Sequence, residues 1–529
     1  MSSPFTPAPA GTPIAPNTSA RYYTRQQIFS RVPITGSNFT SGKNCSFVVE
    51  ATGGRFLVPQ DSRIVAKLKI KANGGTKLPK SVRFACDPVS NMFSAAMLSV
   101  NGTTVTSTAS NVADISRLQL RTEHTKAGAD GPGSAGLLSF NQTMTPEEVT
   151  SNVLDNAAGG SHTTVVDDAT LGNTLTHINR GLFHKAADER SDKHELLLNN
   201  CSSEAKAADG DATQAIEIST PLGQIFPFCR QDSAFLPNVQ ARIDLTINSD
   251  YKTDMLFSEQ LRGTVANSAL RAQAVDAFGT AGAVGTITTG DASGQVIGGR
   301  PLFPTWIAPV ARITNVPDVE VEELYLDAMF AIPSAIVAPP KSIQVPFQEV
   351  TCYTRTLSHN STFTEQFTSI PPSIGAVVVG LRSSAHDINQ NRELYELGGG
   401  PKGFKTFSFA LGALQLPQPA YQLDMSNKQV GRAFADWLSF TGGSYSNGVD
   451  GESSSLTSWT KSPLIAVRCL QDPGAYASIA TLRFDLKDAL TADDNAELVL
   501  WCVHSKVFEC FWDRSETFPS RVVVDDVLN

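Results

Sequence analysis

The chain has 529 residues, of which 41% are hydrophobic and 18% charged, and it carries a net charge of −9. That is a globular balance, long enough for two to four domains at roughly 100–200 residues each. The acidic charge excludes a protein whose main business is coating nucleic acid, which needs Lys and Arg to displace counterions. No apolar run approaches the roughly 20 residues that a membrane-spanning helix needs.

Residues 1–44 read as an N-terminal arm. Five prolines fall in the first sixteen residues, and no acidic residue precedes Glu50. The first twenty residues suit a disordered tail. Arg21, Tyr22, Tyr23, Arg25 and Arg31 suit an arm that orders against neighbouring subunits or faces a nucleic-acid interior. Met1–Ala20 has no apolar core and does not read as a secretory leader. The expectation is therefore a protein made inside the cell, its eight cysteines reduced and mostly buried.

From Cys45 the signals are β. Ile64, Ala66, Leu68 and Ile70 alternate with Val65, Lys67, Lys69 and Lys71, which predicts a half-buried strand with a solvated lysine face. Met92–Val100 is a second strand. Asn101-Gly102 is a hairpin turn, because both residue types tolerate positive φ. A third strand runs through Val105. Val112, Ile115 and Leu118 then open a helix capped by Ser110 or Asn111.

Residues 123–212 are a long polar excursion, with short helical pieces expected near Thr145–Val153 and Lys193–Leu198. They hold five of the eight histidines, at spacings that match no metal-ligand pattern. The β pattern returns at Ile216–Ile218, Pro221–Phe228 and Ile243–Ile247. A second loop region, 262–312, is poor in charge. Val321–Ile332 follows as a strand with Leu324, Leu326 and Ala328 inward.

Pro339-Pro340 marks the boundary between two halves. Ser342–Val350, Thr362–Ser369 and Ala376–Arg382 read as strands, as does Phe404–Leu416, where Phe407, Phe409, Leu411 and Ala413 share one face. Asn427–Leu438 is a predicted helix, with Ser426 and Gln429 as a capping box and Met425 and Val430 as a hydrophobic staple. Leu464–Leu470, Ala480–Leu486 and Leu498–Val507 close the set. The strand–turn–helix order of 91–122 thus recurs loosely at 404–438.

Many strands, few helices and no βαβ rhythm predict an all-β chain of two tandem β-sandwiches with long loops. The divisions are 1–44 as arm, 45–338 as first sandwich with inserted loops 123–212 and 262–312, 339–515 as second sandwich, and 516–529 as C-terminal tail.

Catalytic motifs are missing: no nucleophile elbow, no P-loop, no dinucleotide fingerprint and no zincin helix. Cys502, His504 and Cys510 form the nearest thing to a metal-ligand set, since Cys502 and His504 share a strand face and Cys469 could add a ligand. The alternative reading of these residues is buried thiols and one satisfied histidine. The expectation is no cofactor and no catalysis.

Met92-Phe93 leading through Val100-Asn101-Gly102 to Val105 and a helix resembles the first half of double jelly-roll major capsid proteins, those of virophages, Polinton-like viruses and related eukaryotic DNA viruses. Pro221–Phe228, Phe235-Leu236-Pro237 and Ile243–Ile247 resemble that family's late first-roll segment. Val321–Pro333, Phe363–Val379, Leu414–Tyr421 and the Arg432–Trp437 helix resemble its second half. The resemblance implies two eight-stranded jelly rolls. It implies a homotrimer forming a pseudo-hexameric capsomer, and an icosahedral capsid enclosing DNA without gripping it. Neighbouring capsomers, penton and minor capsid proteins, an internal membrane and a host receptor would be the partners, and the virion the location. The reading that competes is a carbohydrate-binding protein or glycoside hydrolase built from two sandwiches, with a carboxylate pair in a groove. A minor capsid or spike protein is a third.

Overall fold

The computed structural model describes residues 21–29, 43–52, 55–71, 82–108, 111–123, 135–136, 213–231, 236–258, 296–297, 300–301, 317–333, 342–371, 374–386, 395–399, 403–412, 414–425, 427–441, 456–460, 462–469, 479–491, 494–512 and 521–526. The helical pieces expected within 123–212, most of the loop 262–312 and the boundary at Pro339-Pro340 lie outside the described residues.

Period-2 alternation sets up the strands. The first half supplies β1 (Arg21–Phe29), β2 (Asn44–Glu50), β3 (Arg63–Lys71), β4 (Phe93–Val100), β5 (Thr103–Thr108), β6 (Thr213–Pro221), β7 (Gln240–Ile247) and β8 (Asp318–Pro333), and in β2, β3, β7 and β8 one face is apolar along most of the length. Ile64, Ala66, Leu68 and Ile70 are fully buried, as are Leu324, Leu326 and Ala328 to within a few per cent. On the outer face Lys67 pairs with Glu323 and Lys71 with Glu320, both at 2.6 Å across the β3–β8 ladder. Val65, expected beside those lysines, is buried instead.

The long strands lie in two sheets with the orders β1-β8-β3-β6 and β2-β7-β4-β5, the first of which also takes in the short strands Phe56–Leu57, paired with β8, and Leu236–Pro237. The second half repeats the pattern. With β9 (Ser342–Thr356), β10 (Thr362–Thr368), β11 (Ile374–Ser383), β12 (Phe404–Leu411), β13 (Leu414–Gln422), β14 (Ile465–Arg468), β15 (Ile479–Leu486) and β16 (Ala496–Phe511), the sheets run β9-β16-β11-β14 and β10-β15-β12-β13. For these long strands, adding eight to each number of the first half gives the order of the second; the short strands Phe56–Leu57, Val82–Phe84, Leu236–Pro237 and Leu256–Ser258 fall outside the repeat. Each half also places a helix after its fifth strand: α1 (Val112–Glu123) and α2 (Gly431–Phe440). The described residues are therefore mostly strand, in two sheet-rich halves that resemble jelly-roll sandwiches.

Two segments at the ends of the chain join the sheets, and two local expectations are corrected. Arg21–Phe29, placed in the arm, is an edge strand paired along its length with β8, and Ile28 packs on the first core. Its sequence does not alternate cleanly, so edge pairing and not amphipathicity makes the strand. Arg521–Asp526, placed in the tail, forms β17, which pairs with the Lys506–Phe511 end of β16 and lays Val522 and Val524 on the first core. Pro221–Phe228 is largely turn: a helical turn at Leu222–Ile225 and a 3-10 turn at Pro227–Arg230. The second helix begins at Gly431, later than expected, with Val430 at its N-cap and no side-chain cap. Gln429 is drawn into a two-way backbone bridge with Asp424, and Ser426 lies outside the described residues.

Candidate functional site: the buried junction between the sandwiches

Helix α1 is amphipathic in an unusual way, because both of its sides meet a core. Val112 belongs to the first apolar core, while Ile115 and Leu118 belong to the second. The strands it faces are shared as well. Ile343, Val345 and Phe347 of β9 lie in the first core, and Val350 and Cys352 of the same strand lie in the second. On β16 the second core takes Leu498–Val503 and the first takes Phe508 and Cys510. Phe228, from the turn after β6, sets its ring 5.3 Å from that of Phe347 and 5.0 Å from that of Phe508.

A polar network runs through this junction. Asp114 on α1 accepts from both terminal nitrogens of Arg382 on β11, with Nη2 to Oδ2 at 2.9 Å. Arg117 Nη1 donates to Asp114 Oδ1 at 3.0 Å, and its Nη2 donates to Asn91 Oδ1 at 2.7 Å. Arg382 Nε donates to Glu497 Oε2 at 2.9 Å, and the indole of Trp501 donates to the Asp114 carbonyl at 3.0 Å. Asp114, Arg117 and Arg382 are all buried. Burial works against the charge on Arg382, but Asp114, Tyr395 and Glu497 outweigh it and hold the guanidinium above its ordinary value. A charge so deep is tolerated only when paired and hydrogen-bonded.

Flanking contacts extend the clamp. Asn111 Nδ2 donates to the Cys352 carbonyl at 3.3 Å, and the Ser107 amide donates to Glu349 Oε1 at 3.3 Å. Glu349 also pairs with Lys506. Arg121 Nη2 donates to the Ser462 carbonyl at 3.0 Å, with its guanidinium near the rings of Tyr395 and Trp437. Behind α1, Asp87 accepts from Ser116 Oγ at 2.6 Å, from Thr220 Oγ1 at 3.0 Å, and from the Ser90 hydroxyl and amide. Burial pushes its carboxyl upward against those donors.

The sequence-derived candidates lie elsewhere or apart. Cys502 is in the second core and Cys510 in the first, eight residues along β16, so one strand separates them. His504 Nε2 lies 3.0 Å from Thr351 Oγ1, and burial, with Lys506 nearby, pushes its pKa down to about 3. Among the described residues no group of three or more His, Cys, Asp or Glu side chains could hold a metal ion. Arg21, Tyr22 and Tyr23 lie on β1 opposite Pro333, Ile332 and Ala331, and Arg25 pairs with Asp327. Arg31 lies outside the described residues.

The junction residues were missed by sequence reasoning. Asp114 and Arg117, at i and i+3 beside the apolar stripe of α1, were the available signal, together with Arg382 closing an apolar strand. What the arrangement does chemically is fix orientation: charges from both halves are satisfied only in one relative placement.

Fold and junction together define a tandem β-sandwich protein whose halves are locked across a shared core. No protein-family model matches the chain, and no curated protein matches it. Solved structures do. A chain in the cryo-EM structure of the Sputnik virophage aligns with a TM-score of 0.51 at 12% identity, covering 96% of this chain and 88% of that one. The fold is therefore similar to that of a virophage particle protein. The mavirus major capsid protein aligns at 11% identity and TM-score 0.47, covering 100% of this chain and 96% of its own. The Faustovirus major capsid protein aligns at 11% identity and TM-score 0.45, covering 96% and 93%.

Proposed function

We propose that this chain is the major capsid protein of a DNA virus, a double jelly roll that trimerises into a pseudo-hexameric capsomer and tiles an icosahedral shell. The observation that carries the reading is the repeated strand order, β1-β8-β3-β6 with β2-β7-β4-β5 and its counterpart eight strands later. Two like units joined rigidly in one chain let three chains present six units around a threefold axis. Closed symmetry of this kind is the usual state of homo-oligomers. The resemblance in fold to a Sputnik virophage chain supports the same reading.

The role is structural, with no reaction and no cofactor. The partners are two further copies, neighbouring capsomers, and penton and minor capsid proteins, with an internal membrane as a further contact. The net charge of −9 suits a shell that encloses DNA without gripping it. The working location is the virion, assembled inside the host cell.

Light scattering on the purified chain across protein and salt concentrations, with negative-stain images of the same sample, tests the proposal. A trimer or hexagonal capsomers is the expected result. A monomer at every concentration overturns it.

A further inference from the structure

One edge of β16 changes partners partway along. β9 takes the opposite edge over nearly the whole strand, from Glu497 to Phe511. β11 pairs from Ala496 to His504, where its ladder ends at Ile374. From Lys506 to Phe511 the same edge belongs to β17, the last described strand of the chain. This stretch of β16 is a slot for a strand, since without β17 its backbone groups would lie unpaired at a sheet edge.

The floor of the slot belongs to the other half. Val522 lies opposite Cys510 and Val524 opposite Phe508, and both valines pack on the first core, of which Cys510 and Phe508 are members. Thr103 Oγ1, just past the hairpin turn of the first half, donates to the Val522 carbonyl at 3.4 Å. β17 therefore hydrogen-bonds as a strand of the second sandwich and packs as part of the first. It closes the junction from outside, as Asp114 and Arg382 close it from within.

The attachment is thin. β17 is 6 residues long, and among the described residues its outer edge pairs with no strand. Arg521 and Asp525 are exposed, and Val522, Val523 and Val524 are only half-buried. Under β11, by contrast, β16 is fully buried from Leu498 to Cys502 and paired on both edges. A segment with few buried apolar contacts opens ahead of the core, and chain ends do so most readily.

We infer that β17 is a strap that opens on its own, and that the slot beneath it is a binding site for an extended peptide with β-branched residues two apart, its ligand being this chain's own C-terminal segment. A strand added to a sheet edge takes affinity from main-chain pairing and specificity from alternate side chains. Here the pairing is the ladder to β16, and the side chains are Val522 and Val524. With the strap open, the α1 network still joins the halves, but the apolar floor is bare. The strap is a second, reversible lock on the junction, whatever the oligomeric state of the chain.

Hydrogen exchange on the full wild-type chain tests the opening. The amides of β17 should exchange at least about tenfold faster than those of Leu498 to Cys502. Equal protection makes β17 an integral strand and overturns the inference. A full chain carrying Val522→Asp and Val524→Asp tests the slot. It should keep a cooperative melt, expose Cys510 to a thiol-reactive dye and leave Cys502 protected. A labelled peptide of residues 519–529 should bind this variant saturably and slow the labelling of Cys510. It should bind the wild-type chain about tenfold or more weakly, because the resident strand fills the slot. The same peptide with both aspartates should not bind. A variant that loses its cooperative melt, keeps Cys510 protected, fails to bind the first peptide or binds both alike overturns the inference.

Discussion

Asp114 and Arg382, 268 residues apart, meet through two hydrogen bonds at the point where the two sandwiches join. One comes from the helix after the fifth strand of the first half, the other from the third strand of the second. Neither is accessible to water to any useful degree. Breaking such a pair from one side leaves a buried charge without its counterpart, at a cost of about 3–5 kcal/mol. Arg382→Met should therefore destabilise the chain by that order, read as a lowered midpoint in denaturant unfolding. Arg382→Met combined with Asp114→Asn should recover part of the loss. A double variant no more stable than Arg382→Met alone would show that the two residues do not depend on one another.

Phe228 should prove costly in a different way. Its ring sits between Phe347 and Phe508 and is fully buried. Phe228→Ala removes the contact between a turn of the first half and two strands of the second. Truncation of a buried Phe costs about 3–5 kcal/mol, part of it from the cavity left behind. Thermal unfolding should show the loss, and Phe228→Leu should show a fraction of it.

The pH dependence of stability should carry a contribution from His504. Its pKa in the folded chain is pushed down to about 3, below the ordinary value of 6.5. Between those values the unfolded chain binds the proton and the folded chain does not. Stability is thus fully present above pH 6.5 and falls as the pH drops toward 3. His504→Asn should flatten the difference between unfolding midpoints at pH 7 and pH 4.5. Comparing the variant with wild type at each pH cancels the opposite contribution of Asp87, whose carboxyl is pushed upward.

The cysteines should be silent until the chain unfolds. Cys45, Cys86, Cys229, Cys352, Cys469, Cys502 and Cys510 are buried and free of disulfides. Burial raises the thiols of Cys45 to about 11 and of Cys469 and Cys510 to about 12, so little reactive thiolate forms at neutral pH. A thiol-reactive dye should label these seven only in denaturant. Rapid labelling of any of them in the native protein would contradict the packing.

Much of the fold was legible because alternation is a local signal. Ile243, Leu245 and Ile247, or Leu482, Phe484 and Leu486, announce a strand face without reference to anything else, and the structure buries all six. Asn101 and Gly102 both take positive φ, as their turn requires. Arg21–Phe29 was not legible, because an edge strand held by backbone pairing needs no apolar period. The capping box at the second helix was misplaced because the helix starts only at Gly431, with Val430 at its N-cap, while the Gln429 backbone is still bridged to Asp424 ahead of it. The junction was least legible of all. Nothing local in Arg382 says that its carboxylate partner lies on a helix in the other half, and the shared cysteine spacing on β16 suggested ligands where one strand in fact crosses two cores.

That crossing bears on how the chain is made. The first core includes Ile343, Val345 and Phe347 from β9 and Phe508, Cys510 and Trp512 near the far end of the chain. A ribosome working from the N-terminus releases the first half long before those side chains exist. Until then the half-built core must keep an apolar face uncovered, a period in which nascent chains are prone to stick to one another. The first core thus reaches its final packing only after the last long strand has emerged, which ties the completion of the first half to the end of synthesis.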